Sequence, residues 1–154
     1  MPTRATATGA GAPPPTLLYV IKQVELAVRA RLDEILRPAG LTVLQYTALT
    51  VLERHPNLTS AQLARNSFVT AQTMADMVVI LYERGLIDRH RDSADRRRLV
   101  LALTPQGRKL LTAYRGKVTD LEAEMVAPLT AHQAAQLRAS LSTCREALAE
   151  HPPH

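Results

Sequence analysis

Residues 70–107 read TAQTMADMVVILYERGLIDRHRDSADRRRLVLALTPQG, and a change of rhythm inside this stretch decides the fold. Thr70 can cap a helix. Met74, Val78 and Leu81 then recur at helical spacing, and Gly85 stands where a helix stops in the left-handed conformation. From Leu86 to Arg91 apolar and polar residues alternate instead. Asp92-Ser93-Ala94-Asp95 is turn chemistry, and Leu99-Val100-Leu101-Ala102-Leu103 is rich in strand formers. The spacing predicts a helix over 71–84 followed by a two-stranded hairpin. Thr104-Pro105, an N-cap before a proline at the first helical position, then starts another helix.

Upstream, Thr59 caps a short helix over 60–67 with Ala61, Leu63 and Ala64 apolar. Thr42 caps a helix with Leu44, Ala48, Leu49 and Leu52 expected inward, broken by His55-Pro56-Asn57. Thr16 caps a first helix that Pro38 and Gly40 end. Downstream, Leu111, Tyr114, Val118, Leu121 and Met125 step by 3 and 4, a heptad seam, until Pro128. Thr130 caps a last helix with Leu137, Leu141, Cys144 and Leu148 on one stripe. The fold class expected is mainly α with a small β-hairpin wing. In domain terms, 1–15 reads as a disordered Ala/Thr/Gly/Pro tail and 16–151 as a single domain. Within it, 16–38 and 105–151 are long dimerisation helices around a winged helix-turn-helix over 42–104.

The chain has 154 residues, 46% of them apolar but only 3% aromatic, which suits a helical core of Leu, Val, Ile, Ala and Met. Its net charge is +5, and residues 84–109 alone carry +5, so one segment holds the whole excess. Basic charge concentrated in this way is the footprint of a polyanionic partner. A single cysteine, Cys144, cannot form an internal disulfide, and no stretch reads as a membrane span or signal peptide, so a cytoplasmic protein is expected. Cys144 reads as core filler. His55, His90, His132, His151 and His154 are scattered, without metal-ligand spacing, so neither metal nor cofactor is expected. No nucleophile elbow, glycine-rich phosphate loop or zinc-protease motif is present, so an enzyme is not expected.

A helix that follows two others and precedes a hairpin is placed to enter a DNA major groove with its N-terminal residues. Those residues are Thr70, Ala71, Gln72 and Thr73, with Asp76 one turn on. On the hairpin, Arg96, Arg97 and Arg98 suit the negative potential of a narrow minor groove. Asp95 lies two residues before Arg97, so on a strand the two would share a face and the carboxylate would orient the guanidinium.

The stretch Gly40–Gly107 resembles the MarR family of winged-helix regulators. The carrying residues are Gly40-Leu41-Thr42, then Leu58 through Ala64, Thr73, and Leu81-Tyr82-Glu83-Arg84-Gly85-Leu86-Ile87. The most specific are Arg91-Asp92-Ser93-Ala94-Asp95-Arg96-Arg97-Arg98 running into Leu101-Ala102-Leu103-Thr104-Pro105-Gln106-Gly107. The resemblance implies an obligate homodimer on double-stranded DNA with a pseudo-palindromic operator, acting as a repressor relieved by a small-molecule effector or by redox chemistry. It also implies a ligand cleft between the dimer helices and the winged helix, for which Tyr19 and Tyr46 are candidates, with packing as their other role. Asp76, Val79 and Ile80 depart from the family pattern. They motivate the alternative of a winged-helix protein that has lost operator binding and acts through protein contacts.

Overall fold

The computed structural model describes residues 11–149, so the expectations for residues 1–10 and for His151 and His154 lie outside the described residues. Residues 11–16 carry no regular secondary structure and are exposed. Six α-helices and a hairpin follow in the expected order: α1 (Leu17–Leu36), α2 (Val43–Arg54), α3 (Ser60–Asn66), α4 (Ala71–Glu83), β1 (Ile87–Arg91), β2 (Leu99–Leu103), α5 (Pro105–Val126) and α6 (Ala131–Ala149). A single 3-10 turn, Arg37–Ala39, links α1 to α2.

The caps act through their side chains. Thr16, Thr42, Thr59, Thr70 and Thr104 each accept a hydrogen bond from the backbone N–H three residues on. At Thr42 and Thr59 the glutamine at that third position returns the bond, closing two capping boxes. Gly85 sits at φ 72, and Leu86 N–H reaches back to Leu81 O at 3.0 Å, which closes the C-terminus of α4. Only a residue without a Cβ fits Gly107: a Cβ there would stand 2.3 Å from Leu86 O. This close approach seats the start of α5 against the root of the hairpin.

The hairpin pairs antiparallel, Ile87 opposite Leu103 and Arg91 opposite Leu99. Its root is fastened to the α2–α3 connection, since Leu101 N–H donates to Leu58 O at 2.8 Å and Asn57 N–H to Leu101 O at 3.1 Å. The core joins Leu36 of α1 to Leu49 and Leu52 of α2, Leu63 of α3, Met74, Val78 and Leu81 of α4, Ile87 and Leu101 of the hairpin and Leu111 of α5. All of these are less than 9% exposed.

One expectation about facing is corrected. Leu44, at the second position of α2, is 43% exposed, because the inward stripe runs through Val43, Gln45, Ala48, Leu49 and Leu52 and leaves it on the other side. Along the α5 seam Leu111 and Leu121 are buried within this chain and Met125 is open to a partner surface. Cys144 is exposed within this chain, because α6 buries no residue against the rest of its own chain. Arg31 of α1 makes a two-pronged bond to Glu124 of α5, at 2.7 and 3.0 Å. The bond and the charge together hold Glu124 below its ordinary value and Arg31 above.

Candidate nucleic-acid interface

Burying Met74, Met77, Val78 and Leu81 turns the opposite face of α4 to solvent. Thr70, Ala71, Gln72, Thr73 and Asp76 are all exposed there, gathered on the first two turns. They are not independent. Thr70 Oγ1 caps Thr73 N–H at 3.1 Å and donates to Thr73 Oγ1 at 2.9 Å, which leaves the Thr73 hydroxyl proton to point outward. Gln72 Nε2 donates to Asp76 Oδ1 at 3.1 Å. The carboxylate therefore holds the amide with its carbonyl oxygen turned away as an acceptor. Asp76, an apparent misfit next to phosphates, is a brace for Gln72.

The wing differs from its expected form. Residues 92–98 are a turn and not a strand, so the two-residue rule for shared faces does not apply to them. Asp92 N–H donates to Arg98 O at 2.9 Å and Arg98 N–H to Asp95 O at 3.0 Å, folding the tip on itself. The expected pairing of Asp95 with the Arg97 guanidinium is corrected: Asp95 Oδ1 accepts from the backbone N–H of Arg97 at 3.1 Å. Among the described residues neither Arg96 nor Arg97 has a side-chain partner, and both are exposed. Arg98 is different, being partly buried, with its guanidinium 2.9 Å from Gln62 Oε1 and 3.6 Å from Asp92 Oδ2.

Arg97 and Arg98 face α4 across a groove of about 610 Å³, lined also by Ala75, Val79, Arg89 and Leu99. The groove therefore joins the Ala75–Val79 stretch of α4 to two of the wing arginines, while Thr70, Ala71, Gln72, Thr73 and Asp76 lie outside its lining. Two contributors escaped the sequence reading. Arg89 stacks on the Tyr82 ring at 4.2 Å from its centroid, which ties β1 to α4. Gln62 stands three residues after Thr59, the spacing of a capping box, but nothing in the sequence marks it as a partner of the wing.

A second groove, about 540 Å³, lies between α1, the start of α2 and the α3–α4 turn. Val28, Leu32, Val43 and Leu44 line it together with Phe68, which is 81% exposed and holds φ 60, a conformation bulky side chains avoid. Ser67 also lines it; its Oγ is buried and meets no hydrogen-bonding partner among the described residues. Neither Tyr19 nor Tyr46 lines this groove. Tyr19 is exposed near the start of α1, and Tyr46 packs at the core edge, where burial raises its phenol, Glu53 adds to that and Arg115 opposes it. No group of three or more His, Cys, Asp and Glu among the described residues could hold a metal ion.

A three-helix unit whose exposed last helix precedes an arginine-tipped hairpin, carried between long terminal helices, is a winged helix-turn-helix of the class that regulates transcription. Comparison with known proteins narrows the class. The family model described as MarR family matches residues 39–98. The HTH-type transcriptional repressor Rv2887 of Mycobacterium tuberculosis is 32% identical over 123 residues, which is 80% of this chain and 88% of that one. Among solved structures, the Staphylococcus aureus MepR–DNA complex superimposes with a TM-score of 0.77 at 26% identity, covering 88% of this chain and all of that one. Rv2887 in complex with p-aminosalicylic acid does so with a TM-score of 0.69 at 30% identity, covering 84% and 98%. The chain belongs to the MarR family.

Proposed function

We propose that this protein is a sequence-specific DNA-binding repressor, acting as a homodimer in the cytoplasm and not as an enzyme. The observation that carries the reading is the exposure of Gln72 and Thr73 on the first turn of α4 and of Arg96 and Arg97 on the hairpin turn that follows it. Gln72 and Thr73 on α4 suit base edges and phosphates in a major groove. Arg96 and Arg97, unpartnered on a braced turn, suit the adjacent minor groove. The MepR–DNA complex supports the reading, since a relative of the same fold binds DNA. An electrophoretic shift with the duplex flanking the protein's own gene tests it. A discrete shifted band that survives excess random duplex is expected; no band at low salt would favour action through protein contacts instead.

We further propose that the groove beside Ser67 and Phe68 takes a small aromatic effector. The apolar stretch of Val28, Leu32, Val43 and Leu44, the exposed Phe68 ring and the Ser67 hydroxyl, unpartnered among the described residues, supply the recognition chemistry, with Glu25, Arg29 and Asp33 on the same wall. Rv2887 bound to p-aminosalicylic acid supports a ligand of that size. The groove touches α1 and the turn that launches α4, so an occupant would act directly on the angle of the reading helix. Titrating p-aminosalicylate into the shifted complex is the first test, and release of DNA is the expected result.

A further inference from the structure

Arg96, Arg97 and Arg98 are adjacent in sequence but not equivalent in space. The first two are exposed and unpartnered among the described residues, whereas Arg98 bridges two elements. Its Nη2 donates to Gln62 Oε1 at 2.9 Å, and its Nη1 stands 3.6 Å from Asp92 Oδ2. Neither partner is free to follow it elsewhere. Gln62 Oε1 also accepts from Thr59 N–H at 3.0 Å and from Thr59 Oγ1 at 3.3 Å, so it is fixed at the start of α3. Asp92 uses its other oxygen on Ala94 N–H at 3.2 Å, so it is fixed in the tip turn.

We propose that Arg98 is a positioning residue, a strut that sets the wing against the helix-turn-helix through Gln62, and not a DNA contact. The inference rests on the proposed role of the wing in binding DNA. The hairpin is fastened to the body at its root, where Leu101 pairs with Leu58. Arg89 on Tyr82 ties β1 to α4 as well, but neither contact holds the tip turn that carries Arg96 and Arg97. Arg98 provides a further attachment three residues beyond Leu101, at the edge of the tip turn, to α3, the helix packed against α4. Fastened at its tip as well as at its root, the hairpin becomes a rigid lever, so that Arg97 arrives at the DNA with its direction already set. The planar guanidinium suits this role because it presents donors to two acceptors in one plane, which an ammonium does not.

The test uses the full-length dimer, with and without a duplex selected from a random pool by the unaltered protein. In the DNA-free protein, amide exchange over residues 92–98 should quicken about tenfold in Arg98→Ala and in Gln62→Ala, since each removes one attachment of a local structural unit. Arg98→Lys keeps the charge and should behave like Arg98→Ala. On the selected duplex each single variant should bind about tenfold more weakly, and the Arg98→Ala, Gln62→Ala double variant no more weakly than the worse single. Unaltered wing exchange in Arg98→Ala, full affinity in Arg98→Lys, or losses that multiply in the double variant would each overturn the strut. Gln62→Ala also weakens the cap of α3; if it fails to fold, the Arg98→Lys and Arg98→Ala comparison decides alone. If no duplex is selected, the exchange arm still decides the strut, and only the DNA-binding reading fails.

Discussion

At the scale of single residues, the wing and the reading helix divide their work by chemistry. Arg97→Ala removes an exposed, unpartnered charge, so the fold should stand while operator binding weakens. If each wing neutralises one phosphate through Arg97, the salt dependence of binding should flatten by about 1.8 per dimer. Asp95 acts on the backbone of that arginine, where an acceptor oxygen suffices. Asp95→Asn, which keeps that oxygen, should therefore retain most of the affinity that Asp95→Ala loses; equal losses would show that the carboxylate charge matters instead. Gln72→Ala should lower specific affinity by about 1–3 kcal/mol with little effect on random duplex, as measured by competition titration. Ser67 carries an opposite pair of consequences. Removing a buried, unpartnered hydroxyl relieves a desolvation cost of about 1–3 kcal/mol. Ser67→Ala should raise the urea midpoint of the free protein and at the same time weaken the response to effector.

At the scale of elements, stability and function meet where α4, the hairpin and α5 converge. Thr104 Oγ1 donates to Gly85 O at 2.6 Å and accepts from Gly107 N–H at 3.0 Å, so one hydroxyl closes the end of α4 and opens α5. Thr104→Ala should cost about 1–2 kcal/mol in chemical denaturation. Gly107→Ala should cost more than Thr104→Ala, because its methyl would meet the Leu86 carbonyl and push α5 off the hairpin root. These elements were legible in sequence because their signals are local: an apolar period, a threonine before a helix, a glycine after one. Met74, Val78 and Leu81 were placed inward correctly for that reason. What escaped the sequence reading depends on distances across the fold. Gln62 meets Arg98 from 36 residues away, and Arg84 reaches Ala39 O and Gly40 O at 2.7 and 2.9 Å from more than 40. Asp95 was assigned the right neighbour but the wrong atom, since spacing along a strand says nothing about a turn that bends back on itself. Tyr19 and Tyr46 were chosen for their rings, while the groove that could use an aromatic is lined by Phe68.

At the scale of the whole molecule, the terminal helices ask for a second copy. α1 leaves Leu17, Leu18, Tyr19, Val20, Ile21, Val24 and Leu26 between 39% and 79% exposed. α6 spans 19 residues, buries none of them, and turns Leu137, Leu141 and Leu148 outward. In proteins most helical stability comes from packing an apolar face rather than from intrinsic propensity. An apolar surface this extensive on both terminal helices marks an interface with another protein. Pairing of these helices between two copies would cover both and would hold two winged helices apart by about the length of α5, roughly 33 Å for 22 residues. That separation matches DNA half-sites one helical turn apart, about 34–36 Å, so the geometry that buries the terminal helices also spaces the reading heads for a two-fold symmetric operator. Light scattering should therefore give about twice 16.9 kDa at micromolar concentration. Leu137→Glu combined with Leu141→Glu places two carboxylates in the expected seam without touching α4 or the wing. The variant should fall toward the mass of one chain and should lose operator binding far more than binding to random duplex, because a single reading head keeps its charge and loses its partner half-site. A double-glutamate variant that stays at twice the chain mass would show that α6 is not the seam, and one that becomes a monomer yet binds operator at full strength would uncouple dimerisation from recognition.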